Sequence, residues 1–150
     1  MKKVLFAIPL ALALTGCGSD IDLVKGGVME FNQTTTLGKA LDNWESCESR
    51  EWEEFETDNG IKVVQFTCQH KISQYMSKAK SLLSEEKQAK AKHLDIASNI
   101  QTFQFTINQG DTFQLDNVQD IITWQDGTSF EDSQNPVEQL ETAHRLDLKN

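Results

Sequence analysis

Two cysteines bracket an Asn-Gly turn, and this bracket constrains the chain more than any other feature. The run Asp58-Asn59-Gly60-Ile61 carries the residue pair that tolerates the positive φ angles of a type I′ turn, so it joins two antiparallel strands. A two-residue loop at Asn59-Gly60 sets Phe55 opposite Val64. Continued strictly, that pairing puts Glu53 against Phe66 and turns Trp52 to the other face. One extra residue at Glu53-Glu54, a β-bulge, places Trp52 opposite Phe66 and Arg50 beside Cys68. Cys47 then lies three residues further on, and a disulfide needs Cα atoms within about 7 Å. At this point a bridge and two buried free thiols both remain open.

The rest of the chain divides by hydrophobic period. Leu23 to Phe31 alternates loosely and predicts a strand, with Gly26-Gly27 as a weak spot or bulge. Thr34 to Thr36 offers N-cap hydroxyls for a short helix whose apolar face is Leu37, Ala40, Leu41, Trp44 and Cys47. Ile72, Tyr75, Met76, Ala79, Leu82 and Leu83 recur at helical spacing, predicting a helix from near Ser73 to at least Glu85. Residues 86–92 are helix-prone but have little to bury, so they extend that helix or form a link toward Ser98-Asn99. Phe103, Phe105 and Ile107 alternate with Thr102, Gln104 and Thr106, a half-buried strand. A turn around Gly110 leads back through Phe113 and Leu115, and Val118 to Trp124 forms a third strand ended by Asp126-Gly127. Pro136 opens a last helix whose core face is Val137, Leu140, Ala143 or His144, and Leu148. Short turns between strands imply antiparallel pairing. The expectation is an α+β fold, an antiparallel sheet (a hairpin plus a three-stranded meander) with two or three helices packed on it.

The first 17 residues are of a different kind. Lys2 and Lys3 precede an apolar run of 11 residues, Val4 to Leu14, shorter than the roughly 20 needed to span a bilayer. The run ends in Leu14-Thr15-Gly16-Cys17. This segment resembles the bacterial lipoprotein signal, in which Leu, a small residue, and Gly or Ala precede a Cys. The resemblance implies cleavage after residue 16, diacylation of Cys17 as lipid attachment site, and acylation of the new N-terminus. Residues 17–22 then read as a lipidated tether and 23–150 as a single domain, with a subdomain link conceivable near 86–99. Gly18 follows Cys17 where an Asp would imply retention in the inner membrane. In a Gram-negative host this resemblance implies the periplasmic face of the outer membrane, and in a host with one membrane a cell-membrane anchor. An exported chain with two remaining cysteines favours the Cys47–Cys68 disulfide, because that compartment is oxidising.

Removing residues 1–16 leaves 134 residues with 12 basic and 23 acidic side chains, a charge near −11. That length buries a core without a metal, and that charge repels nucleic acid and anionic lipid headgroups. Glu45, Glu48, Glu51, Glu53, Glu54, Glu56 and Asp58 stand close together against Arg50 alone. They form either a steering surface for a basic partner or a solvated edge strand guarded against aggregation. A third reading has Lys71, Lys78, Lys80, Lys87, Lys90 and Lys92 facing them within the chain.

Motifs for chemistry are missing. His70, His93 and His144 are scattered, without partners at metal-ligand spacing. Gly-x-Ser-x-Gly, Ser-x-x-Lys, P-loop and dinucleotide fingerprints do not occur. Trp44, Trp52 and Trp124, like Tyr75 and Met76, fall on predicted core faces. No catalytic residue, metal or cofactor is expected beyond the covalent lipid on Cys17.

Thr36, Gly38, Ala40, Leu41, Asp42, Trp44, Cys47, Trp52, Phe55, Asn59-Gly60, Val64, Phe66 and Cys68 together form a block similar to one in small bacterial envelope lipoproteins. With the lipobox it implies an exported α+β domain and brings no activity with it. The sequence expectation is a non-enzymatic, lipid-anchored interaction module serving a protein partner in an envelope assembly. The alternative is an inhibitor or immunity protein that neutralises a basic hydrolase or toxin through its acidic surface.

Overall fold

A computed structural model describes residues 19–72, 74–91 and 95–147. The order of elements is α1 (Asp20–Gly26), α2 (Leu37–Asp42), β1 (Cys47–Glu56), β2 (Lys62–His70), α3 (Gln74–Ser81), α4 (Glu85–Lys90), β3 (Ile96–Asn108), β4 (Thr112–Trp124), β5 (Ser129–Ser133) and α5 (Pro136–Asp147). The five strands form one antiparallel sheet in sequence order, β1-β2-β3-β4-β5. The expected α+β arrangement is corrected here. The antiparallel sheet makes up most of the molecule, with β2 paired to β3, and four of the five helices span only 6 to 8 residues. The protein is β-rich, with small helices accompanying a dominant sheet.

Several elements differ from the sequence expectation for local reasons. Residues 20–26 are helical, where the sequence reads as tether to Asp22 and strand from Leu23: the Ser19 hydroxyl accepts from the Asp22 N–H, and the Asp22 carboxylate accepts from the Ser19 N–H, a complete capping box. The helix from near Ser73 is broken. α3 ends at Ser81, α4 begins at Glu85, and Leu82, expected on the buried face, is 80% exposed. Ser73, Lys92, His93 and Leu148 lie outside the described residues, as does the side chain of Tyr75. Residues 112–124 are one strand, because Asp116 is accommodated as a bulge between the pairs Gln104↔Asn117 and Phe105↔Leu115. The third meander strand is therefore β5, whose polar residues gave no period. In α5, Leu140, Ala143 and His144 are buried as expected, but Val137 is exposed.

The hairpin keeps its essential register and changes its turn. Trp52 pairs with Phe66 and Arg50 with Cys68. The extra residue sits in the connection and not at Glu53-Glu54. Gly60 N–H donates to the Thr57 carbonyl (2.8 Å), Thr57 N–H to the Ile61 carbonyl (2.9 Å), and Gly60 has φ +77°. Asn59 is not in positive φ, so the turn is a type I turn closed by a left-handed glycine, the three-residue form. The strand irregularity lies instead between Cys47 and Ser49. Cys47 and Cys68 are joined by a disulfide with Cα atoms 5.4 Å apart.

The core lies on one face of the sheet. Val64, Phe66, Phe103, Phe105 and Val118 from β2–β4 meet Val24, Leu37, Leu41 and Leu140 from α1, α2 and α5. Trp52, half-buried, covers the β1 end, its ring 4.9 Å from Phe66. Its indole N–H donates to Asp42 (2.7 Å), and Lys25, paired with the same carboxylate at 2.7 Å, sits over its ring. Trp44 is buried against Phe103 and His70.

Two stability outcomes follow from this packing. A Cβ on Gly38 would lie 2.8 Å from Lys25 Cβ and 3.0 Å from its carbonyl oxygen. Gly38→Ala therefore destabilises by about 1–3 kcal/mol despite the better helix propensity of alanine, because α1 and α2 must separate; urea unfolding measures it. Loss of the disulfide in Cys47→Ala/Cys68→Ala costs roughly 3 kcal/mol on the chain-entropy account, read as a lower urea midpoint than that of the oxidised parent.

Candidate functional site

β1 is an edge strand, and its carboxylates divide between the two sheet faces. The pairs Glu51↔Thr67, Glu53↔Gln65 and Phe55↔Val63 alternate with Trp52↔Phe66, Glu54↔Val64 and Glu56↔Lys62. Glu51 and Glu53 therefore sit on the open face, Glu54 and Glu56 on the face that carries the helices. Glu54 accepts from the Ile21 N–H at 3.2 Å and so ties α1 to the edge. Glu45 and Glu48 lie at the start of the strand and Asp58 at the turn; all seven acids are exposed. Lys62 is held by Asp20 at 3.1 Å, with the Glu56 and Glu54 charges also raising its pKa after the Asp20 hydrogen bond and charge.

Two of the six lysines that could face the acidic run within the chain pair elsewhere. Lys80 pairs with Asp95 (2.6 Å) and Lys90 with Glu86 (2.8 Å). Arg50, the one basic residue within the acidic run, turns back to donate to the Trp44 carbonyl. Among the described residues, no ion pair joins α3 or α4 to the acidic strand. A strand with five glutamates at positions 48–56 and few compensating cations presents a negative edge.

On the open face a row of amides continues from this edge. Gln65 donates to Glu53, Gln104 to Gln65 at 2.8 Å, and Asn117 to Gln104 at 3.3 Å. These residues are register partners across four strands. The alternation of Gln and Thr with Phe in β3 was the visible signal for a polar face. It carried no information on which amides would meet.

A second polar group closes the far end of the core. Ser46 and His70 Nδ1 are 2.9 Å apart, His70 Nε2 and the Gln101 carbonyl oxygen 3.1 Å, and Gln101 donates to Gln139 at 3.2 Å. Because the Gln101 amide nitrogen donates onward, its oxygen accepts, so His70 carries its proton on Nε2 and accepts the Ser46 hydroxyl at Nδ1. Serine beside histidine is a nucleophile–base pair only where oxyanion donors and substrate space converge on it. Here the imidazole is held by a neutral amide, lies edge-on to Trp44 at 5.0 Å and sits beside the disulfide. Its evident role is to fasten the two strand ends. None of this was legible from the scattered sequence positions.

Asp120 sits opposite Gln101 in the register on this same face. Burial pushes its carboxyl pKa up, the neighbouring His70 imidazole opposes this, and the Asp132 charge adds to it. Asp120 Oδ1 and Asn99 Oδ1 are buried and meet no donor among the described residues. His144 is 2% exposed, donates from Nδ1 to the Leu140 carbonyl at 2.8 Å, and packs edge-on against Phe31. Among the described residues no three His, Cys, Asp or Glu side chains are grouped to hold a metal ion.

The expected lipid site, Cys17, lies outside the described residues. Its class is shown by comparison: the family model for the prokaryotic membrane lipoprotein lipid attachment site matches residues 1–17. The chain is thus a membrane-anchored lipoprotein by its signal, and no described helix is long and apolar enough to cross a membrane. No curated protein and no solved structure matches it.

Because the folded-state carboxyl of Asp120 titrates above its unfolded value, its contribution is favourable when protonated and is lost as pH rises through the folded pKa. At neutral pH the ionised group is a cost. Asp120→Asn should raise the thermal midpoint at pH 7, and the difference from the parent should shrink as pH falls into the carboxylate range. A thermal-melt series against pH measures this.

Proposed function

We propose that this lipoprotein is a non-enzymatic interaction module that meets a basic protein partner in the cell envelope through the acidic edge strand β1. The observation that carries this reading is the sparsely compensated edge: Glu48, Glu51 and Asp58 are exposed, and Lys80 of α3 and Lys90 of α4, two of the lysines that could have neutralised them, pair elsewhere. A negative strand edge steers a positive partner and blocks pairing with a second copy of itself. The same carboxylates thus serve solubility and recognition together. The absence of an Asp after Cys17 supports transfer to the periplasmic face of an outer membrane in a host that has one.

In-cell crosslinking and capture of the tagged, lipidated protein at low and high salt tests the reading. The expected result is a reproducible envelope protein whose recovery falls with salt, since exposed charges are screened beyond about 8–10 Å at physiological ionic strength. Glu48→Gln/Glu51→Gln should lower the yield several-fold at low salt and leave the thermal midpoint unchanged. Equal capture by the parent and the neutralised variant would remove the acidic edge from the interface.

A further inference from the structure

The chain enters the fold at a defined corner. The capping box fixes Ser19 and Asp20, and the lipid-bearing Cys17 of the matched motif is two residues before the cap. Two extended residues reach at most about 7 Å. A strand of 13 residues such as β3 is about 44 Å long at 3.4 Å per residue. The anchor therefore pins one end of the sheet.

That end is the one carrying the β1–β2 and β3–β4 turns. Asp20 is bonded to Lys62 and lines a groove of about 560 Å³ with Ile61, Gly60, Gly110 and Asp111, so α1 starts between the tips of the β1–β2 and β3–β4 connections. A neighbouring groove of about 600 Å³ shares Asp111 and is lined by Leu23, Val28, Met29 and Phe113. Ile61 is 46% exposed at a turn tip and Val28 45% exposed beside α1. Both apolar side chains thus lie on the short end of the molecule that the anchor holds down.

We infer that this turn end is a second membrane contact, with Ile61 and Val28 seated in the lipid interface beside the Cys17 anchor. The sheet then stands on its β1–β2 and β3–β4 turns with the disulfide end outward. The anchor keeps these side chains at the bilayer surface, so a contact too weak to recruit a free protein is still populated. The occupant is a zwitterionic lipid surface. Asp20, Glu56, Asp58 and Asp111 crowd this end, with Lys62 as the cation on the same rim, and anionic headgroups would be repelled. Standing this way, β1 has Glu56 and Asp58 nearest the bilayer and Glu45 and Glu48 furthest from it, which leaves the edge open to a partner from the side.

The test uses the full lipidated protein in phosphatidylcholine vesicles, with nitroxide on Ile61→Cys, Val28→Cys or Leu82→Cys in separate variants. Leu82, between α3 and α4, reports on the opposite end. Flotation with the vesicles establishes anchoring for each variant before accessibility is compared. The expected result is several-fold lower collision with a water-soluble relaxing agent at Ile61 and Val28 than at Leu82, with greater collision with oxygen. Equal exposure at all three positions in floated protein would overturn the inference, as would protection at Leu82 alone. Neither outcome depends on whether a protein partner of β1 exists.

Discussion

The pairing of β1 with β2 is the constraint on which the rest depends. β1 supplies only Cys47 and Trp52 to the core side, and its remaining residues are exposed. A strand so poor in apolar burial cannot hold its place by the hydrophobic effect alone. Two fasteners compensate. The disulfide fixes one end, together with Ser46 and His70 beside it. Trp52, wedged on Phe66 and roofed by Lys25 and Asp42, fixes the middle and ties in α1 and α2. Without that register, α1 and α2 would lose the wall against which they pack, and the acidic residues would have no common edge.

The sheet has two unlike faces, and the difference is what leaves the edge available. One face is closed by α1, α2 and α5 over an aromatic core. The other is finished in amides and hydroxyls that bond to one another across the strands. An antiparallel sheet tolerates this because its solvent face needs no cover. At the far end of the core the polar residues are less well satisfied. Asp120 and Asn99 keep buried oxygens that meet no donor among the described residues, and the raised carboxyl pKa of Asp120 ties stability there to pH. Ser19 and Asp20, where the described chain begins, lie at the opposite end beside the β1–β2 and β3–β4 turns, so this polar stress and the start of the fold are separated by the length of the sheet.

Legibility from sequence followed the strength of local signals. The alternation in Phe103-Gln104-Phe105-Thr106-Ile107 marked β3, and the cysteine bracket marked the β1–β2 pair, since both signals are short-range. The Ser19-x-x-Asp22 capping box was present too, yet the loose alternation through Leu23 and Phe31 pointed to a strand. Gly27 ends that helix after seven residues, too few for a helical period to stand out. Asp116-Asn117 has the composition of a turn, and its behaviour as a bulge depends on Thr106, which meets Asp116 from the neighbouring strand. β5 has no apolar alternation at all. It exists because β4 offers it an edge.

The sequence by itself determined the lipid-attachment signal, the cysteine pair that closes the hairpin, the facing of Trp52 on Phe66 and the strongly negative charge. Each is written in neighbouring residues or in residues linked by a single turn. Tertiary structure alone decided that β5 completes the sheet and that Asp116 bends a strand without ending it. It also decided that Lys80 and Lys90 pair away from β1, and that Ser46, His70, Gln101 and Asp120 gather at one end of the core. These outcomes rest on contacts between residues far apart in the chain, whose meeting depends on how strands pair and not on which residues adjoin.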